Sequence, residues 1–327
     1  MTSPSNQPVN LPEALAPYKG RPVYLHEVAG NNGDELILKG SEFIIDRAGC
    51  QRITDPAKAE LLLINGGFKS DFWPFANETI REYSSKFPNT PLIILPSSFW
   101  FQETDFPALF AGRSAPATIF ARELKSLEIL RGMSFPIEAQ FGLDHDTAFA
   151  LVDEPSIKKL IDRAPTRDLL IVERGDAESA TGLVESDLLS SGFVRKAATA
   201  VLPRPVAIAA ARAVGRLRGG GSGQHSPFTQ AAIDLVEKND FKRQVGSIKN
   251  TDVSRRSACS YSEFCETIAD SKVIISTRLH VGILGAVMGR RTYIVAGNNH
   301  KIPGIYEFSM KDNPCATLIS PTCEVIA

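Results

Sequence analysis

The stretch that decides the fold is VIISTRLHVGILGAVMGRRTYIVAGNNHK, from Val273 to Lys301. An apolar run, Val273 to Ile275, turns through Ser276 and Thr277 into an apolar segment, Val281 to Met288, with Arg278 and His280 at its mouth. A second apolar run, Tyr293 to Ala296, leads into Asn298, Asn299, His300 and Lys301. Strand, turn, helix and strand within about thirty residues describe a βαβ unit. In open α/β sheets ligands bind beyond the carboxyl ends of the strands, beside helix N-termini that favour anions. Arg278, His280 and Lys301 all fall at that edge, so a small, strongly anionic ligand is expected there.

Working outward, 327 residues suit two domains of roughly 150 residues each. Hydrophobic content of 43% and charged content of 22% are those of a globular chain. A net charge of −1 supplies no whole-molecule field, which argues against nucleic acid as a partner. Met1 to Asn10 is polar and lacks the apolar core of a signal peptide, and no apolar run reaches the roughly 20 residues of a membrane span. A cytoplasmic protein is expected, with or without peripheral contact at the inner face of the plasma membrane. The five cysteines (Cys50, Cys259, Cys265, Cys315, Cys323) are odd in number and form no C-x-x-C pair, so reduced, mostly buried thiols are expected rather than a disulfide framework or a zinc site.

Residues 1–20, with prolines at 4, 8, 12 and 17, read as a disordered or loosely docked arm. Residues 21–152 read as a first Rossmann-like domain. Its strand Val23 to Val28 runs through a glycine turn, Gly30-Asn31-Asn32-Gly33-Asp34-Glu35, into a helix from Leu36 to about Ala48. Further strands are expected at Glu60 to Ile64 and at Pro91 to Leu95, the latter stopping at Pro96-Ser97-Ser98, and at Thr118 to Ala121. Phe68 to Phe75 reads as loop, and Phe141 to Phe149 closes the domain with Asp144, His145 and Asp146. Residues 153–327 read as a second such domain, opening with a polar link and a strand, Leu169 to Val172, followed by Arg174. A basic, Gly-rich insertion lies near 195–225, and its Arg195, Lys196, Arg204, Arg212, Arg216 and Arg218 suit either a helix packed on the sheet with its arginines solvated or contact with an anionic membrane surface, which liposome flotation would detect. Alternating strands and helices with glycine turns predict parallel, doubly wound sheets.

Four segments carry a family resemblance: Gly30 to Glu35; Phe120-Ala121-Arg122-Glu123 with Ser126; Asp146-Thr147-Ala148-Phe149; and Ser276 to His280 with Lys301 in the loop beyond. In order and spacing they resemble the polysaccharide pyruvyl transferase family, over about residues 23 to 310. The turn Asn65-Gly66-Gly67 departs from the family's more usual run of three glycines. The resemblance implies a glycosyltransferase-B-like fold, two Rossmann-like domains with parallel sheets facing an interdomain cleft. It implies transfer of the enolpyruvyl group of phosphoenolpyruvate onto sugar hydroxyls as a ketal, in exopolysaccharide or cell-wall glycan synthesis, with a sugar or lipid-linked oligosaccharide as acceptor. Phosphoenolpyruvate is then a co-substrate; no cofactor and no metal are implied. Family donor-site residues map onto Arg122, His280 and Lys301, with Arg278 and Leu279 lining the same turn.

The residue types suit that chemistry on their own. An arginine clamps an oxyanion pair in bidentate fashion, a lysine supplies a mobile point charge, and a histidine moves protons near neutral pH. His280 is the expected acid/base or the group that stabilises leaving phosphate, and Arg174 is a further donor-side candidate. Asn31, Asp34, Glu35, Asp144, His145 and Asp146 are candidate acceptor contacts, although acids in a first helical turn and polar groups at strand ends also serve as caps. Trp73 and Trp100 are candidates for a sugar-stacking platform or for packing alone. Two other readings remain open: a nucleotide-sugar-dependent glycosyltransferase of the same fold, and a non-catalytic glycan-binding or scaffold protein.

Overall fold

A computed structural model gives the architecture, and it describes residues 9–27, 30–71, 74–175 and 226–326. The basic tract near 195–225 and Trp73 lie outside the described residues. The chain folds into two units: Met1–Gly30 with Asp34–Pro155 and Pro303–Asp312, and Asn31–Gly33 with Ser156–Ile302 and Asn313–Ala327. The division falls between Pro155 and Ser156 and also passes through the first turns of two helices, Asn32–Arg47 and Lys301–Ser309.

The first unit holds a seven-stranded sheet of β1 (Pro22–His26), β2 (Gln51–Ile53), β3 (Leu61–Ile64), β4 (Gly67–Ser70), β5 (Leu92–Trp100), β6 (Ala117–Ala121) and β7 (Ala139–Leu143). Their order is β2-β1-β3-β5-β6-β7, with β4 added beside β5, and every pairing is parallel. The second unit holds β8 (Arg167–Val172), β9 (Ile248–Asn250), β10 (Ser271–Ser276), β11 (Arg291–Val295) and β12 (Ala316–Ile319), in the order β12-β11-β10-β8-β9, again all parallel. Both sheets thus share one winding. The chain first steps outward from its opening strand, then crosses back, so the order reverses between β1 and β3 and between β8 and β10. Such a reversal opens a crevice at the strands' carboxyl ends, where ligands of doubly wound folds bind.

Parallel strands covered on both faces must be apolar throughout, and alternate residues feed opposite faces. Leu62, Ile64, Leu92, Ile94, Ala117 and Ile119 pack with Ile80 and Tyr83 of the helix Pro74–Lys86 and Leu127 and Leu130 of Leu124–Arg131. Leu61, Leu63, Ile93, Leu95 and Phe120 pack on the other face with Ile45 of Asn32–Arg47 and with Leu11 and Leu15. In the second unit, Leu169, Ile171, Val273, Ile275, Tyr293 and Val295 pack on the helix Pro227–Val236. The opposite face receives Leu279–Val287 at very short range. A Cβ added to Gly282 would meet Ile294 Cγ1 at 2.8 Å, and one on Gly285 would meet Thr292 Oγ1 at 2.6 Å.

Several expectations are corrected. From Val9 on, the N-terminal arm is ordered: Asn10 caps the helix Leu11–Leu15, whose two leucines are fully buried. Phe68 lies in a strand, not a loop, because β4 pairs with the second half of β5 from Gly67↔Ser97 to Ser70↔Trp100. Accordingly β5 does not stop at Pro96. Proline has no N–H to donate, and the register shifts between Ile94 and Ser97 where it sits, so the strand absorbs it as an irregularity and continues to Trp100. The polar link after residue 153 contains a helix, Pro155–Ile161. Short strands β2, β7, β9 and β12 carry no extended apolar run and escaped the reading of periodicity.

Candidate functional site

Strand ends of the first unit gather buried polar groups. Arg122 follows β6 directly, its backbone N–H donating to Ser97 O at 3.0 Å. Its side chain is 1% exposed; Nε donates to Ser98 Oγ at 3.0 Å and Nη1 to Asp146 Oδ2 at 2.5 Å. Among the described residues Nη2 donates to nothing. Beside it lies a lysine that sequence reasoning passed over. Lys69, in β4, is 1% exposed and donates to the backbone carbonyl of Asn65 at 3.0 Å. Burial pushes its pKa down to about 8, Arg122 pushes the same way, and Asp34 opposes both. His26, the last residue of β1, shares a hydrogen bond with Tyr83 Oη at 2.8 Å, and its pKa is lowered by burial and then by the Lys69 charge.

Other expected residues of this unit are tied into the fold. Asp144 Oδ2 accepts from Leu11 N at 2.7 Å and its Oδ1 from His145 N at 2.8 Å, so it anchors the N-terminal helix. His145 Nδ1 shares a hydrogen bond with Ser309 Oγ at 2.8 Å, and its ring stacks on Phe308 at 4.9 Å. Asp146 pairs with Arg122 and also accepts from Ala148 N at 2.9 Å, capping the turn Thr147–Asp153. Glu123 caps Leu124–Arg131 through Ser126 N at 3.1 and 2.9 Å. Asp34 and Glu35 are half-buried in the first turn of Asn32–Arg47, and the Asp34 carboxylate covers Gly30 so closely that no Cβ fits there. Trp100 stacks on Phe68 with centroids 6.5 Å apart.

In the second unit the structure brings together Asn31, Gly33 and His280. Gly33 N donates to Asn31 Oδ1 at 2.7 Å, and a Cβ on Gly33 would sit 3.0 Å from His280 Cβ and Nδ1. Glycine is thus required for the turn to lie against the imidazole. His280 is half-buried in the first turn of Leu279–Val287, while Leu279 is buried. Asn32 holds the turn in place, its N–H donating to Ser254 O at 2.8 Å and its Nδ2 to Val253 O at 3.0 Å. At the point where strand order reverses, Arg174 N donates to Thr277 Oγ1 at 2.8 Å, and Thr277 N to Val172 O at 3.0 Å. Arg174 is buried. Arg278 faces Asp252, with Nε at 3.1 Å and Nη2 at 2.6 Å from Oδ2. Lys301 opens the helix Lys301–Ser309, its N–H donating to Asn299 Oδ1 at 3.1 Å, and at 7% exposure it is not a solvated loop lysine.

Lys69, His26, Asp252 and the buried Glu173, which accepts from Ser226 Oγ at 3.0 Å, are polar groups that sequence reasoning missed. The signal for Lys69 was present: a lysine two residues beyond a glycine pair, directly after Phe68. All five cysteines are free, and among the described residues no group of three or more His, Cys, Asp or Glu is placed to hold a metal ion. Nor is any described helix long and apolar enough to cross a membrane.

Comparison with protein-family models and with curated proteins gives no match. Among solved structures the chain is similar to a crystal structure of the uncharacterized protein KP1_0663 from Klebsiella pneumoniae subsp. pneumoniae NTUH-K2044. The likeness has a TM-score of 0.58 at 17% identity and covers 94% of this chain and 95% of that one. At that identity the likeness shows a shared α/β fold.

Proposed function

We propose that this protein is a phosphoenolpyruvate-dependent pyruvyl transferase that forms a pyruvate ketal on a sugar or lipid-linked oligosaccharide. One observation carries the reading: Arg122, Arg174, Arg278 and Lys301 are buried at carboxyl ends of parallel strands or the loops beyond them. Asp146 and Asp252 face two of these guanidiniums, and the carboxyl edge on which all four cations lie is where these folds bind ligands. Phosphoenolpyruvate offers a phosphate and a carboxylate to such groups.

In this reading Arg122 is the oxyanion-binding cation of the first unit and Lys301 that of the second, and Arg174 and Arg278 set the positive field of the second unit's strand ends. His280 delivers a proton to the methylene carbon, C3, leaving an oxocarbenium-like centre at C2. One sugar hydroxyl adds to C2 and gives up its proton. The C2–O bond to phosphate then breaks, inorganic phosphate departs, and a second hydroxyl adds to C2 to close the ketal with loss of its proton. Proton transfer of this kind contributes about 10²–10⁴-fold to rate. The close fit of Gly33 against His280 would hold the imidazole in one place for it.

Incubation of the full chain with phosphoenolpyruvate and lipid-linked oligosaccharides from the cells that make it tests the reading. Inorganic phosphate release and a pyruvate ketal on the glycan, both slowed by about 10²-fold or more in His280→Ala, are expected. Sugar transfer from a UDP-sugar with phosphoenolpyruvate untouched would favour the glycosyltransferase of the same fold. Glycan binding without either reaction would favour a scaffold.

A further inference from the structure

Lys69 is a buried titratable group that the reaction above does not use. Its ammonium carries three N–H donors. Among the described residues it has one hydrogen-bond acceptor, the Asn65 carbonyl, and no carboxylate within ion-pair distance. The cation nearest in effect, Arg122, has its charge matched by Asp146 at 2.5 Å, and its Nη2 is unmatched. A fold left with an ammonium and a guanidinium in one buried cluster carries a mutual repulsion that a bound anion would remove.

The surroundings leave room for one. Gly66 is pressed against β5, where a Cβ would meet Pro96 O at 2.5 Å. Gly67, the next residue and itself buried, faces the other way: at φ +138° an added Cβ would meet no described atom within 4 Å. The turn whose carbonyl holds Lys69 therefore borders open space on one side. It lies at the carboxyl end of β3, where β4 begins, beside the reversal of strand order between β1 and β3, and ligands of doubly wound folds bind at such an edge.

We infer that Lys69 and the Nη2 group of Arg122 form an oxyanion subsite at the carboxyl edge of the first sheet, taking a phosphate or carboxylate group. It rests on the proposed function in sharing Arg122, and within that reading Lys69 is a second cation for the anionic co-substrate. Three titratable groups face Lys69: Arg122 beyond β6, Asp34 in the first turn of Asn32–Arg47, and His26 at the end of β1. His26 has its pKa lowered, so it adds no positive charge at neutral pH. Lys69 is then the group whose titration near pH 8 switches the subsite, and binding weakens as the pH rises through that value.

The test is calorimetric titration of inorganic phosphate and, separately, of pyruvate into the full chain and into Lys69→Met, at pH 7 and pH 9.5. At least one of the two anions is expected to bind wild type at pH 7, and to bind Lys69→Met about ten-fold or more weakly. Wild type is expected to lose that advantage at pH 9.5, whereas the residual binding of the variant should not fall with pH in the same way. Unchanged affinity in Lys69→Met, or silence of both anions toward wild type, would overturn the inference; a melting temperature of the variant at or above wild type shows that it folds. Phosphate bound alone identifies a phosphate subsite, and pyruvate bound alone a carboxylate subsite. Lys69-dependent anion binding without any pyruvyl transfer would retain the subsite and remove the proposed reaction; the reverse result would do the opposite.

Discussion

A buried ammonium group destabilises a fold while it is charged. Lowering the Lys69 pKa from 10.5 to about 8 corresponds to about 3 kcal/mol against the folded protein at neutral pH. The sign follows from proton binding. Below the folded-state value both states hold the proton and the penalty is complete; between about 8 and 10.5 the unfolded chain binds more protons, so stability rises with pH. Lys69→Met is therefore expected to raise the melting temperature at pH 7, by a margin that shrinks as the pH climbs above about 8. A variant less stable than wild type at pH 7 would show that the ammonium is held for the fold. At this scale the sequence was legible where a residue type is informative by itself. Arg122 stands directly after an apolar strand, Arg278 and His280 stand in the turn and helix start after another, and the structure buries both arginines there. It was not legible for Asp144 and His145, because the partners that occupy them, Leu11 N and Ser309 Oγ, lie 133 and 164 residues away. Only folding brings those groups together.

The elements tell a similar story through packing. Leu11–Leu15 is five residues long, too short for periodicity to register, and prolines before and within it suggested a loose arm. What makes it a helix is tertiary: an Asn10 cap accepting from Glu13 N at 2.9 Å, and two leucines at 1% and 0% exposure against the first sheet. Leu15→Ala is expected to destabilise the first unit by about 2–5 kcal/mol, as for a buried leucine, in urea unfolding followed by circular dichroism. A loss under about 0.5 kcal/mol would return the segment to the status of a docked tail. The strand β5 makes the same point: Pro96 reads as a stop, yet the strand runs past it because β4 pairs beyond the irregularity. By contrast Val273–Lys301 was readable at once. Its strand, glycine-bearing helix and second strand are each apolar, and the helix fits tightly only because Gly282 and Gly285 carry no Cβ.

On the scale of the whole molecule, the two sheets wind alike although the sequence shows no repeat. Both begin at a central strand, place the second strand outside it, and cross back. Strand order depends on which faces need covering and on short crossovers, so many unrelated sequences satisfy it. That is why alternating apolar runs sufficed to give the fold class, while chemistry had to be sought at the strand ends. There the second unit presents Arg174, Thr277, Arg278 and His280, and the first presents Lys69, Arg122 and Asp146. The proposed function has cations of these strand ends binding phosphoenolpyruvate. Calorimetric titration of phosphoenolpyruvate into the full chain, with UDP as control and Arg122→Ala and Lys301→Ala alongside, tests it most directly. Binding to wild type, none of UDP, and an affinity weakened about ten-fold or more in each variant, about 1.4 kcal/mol, is the predicted result. Binding of UDP with silence from phosphoenolpyruvate, or variants that bind as wild type does, would contradict it.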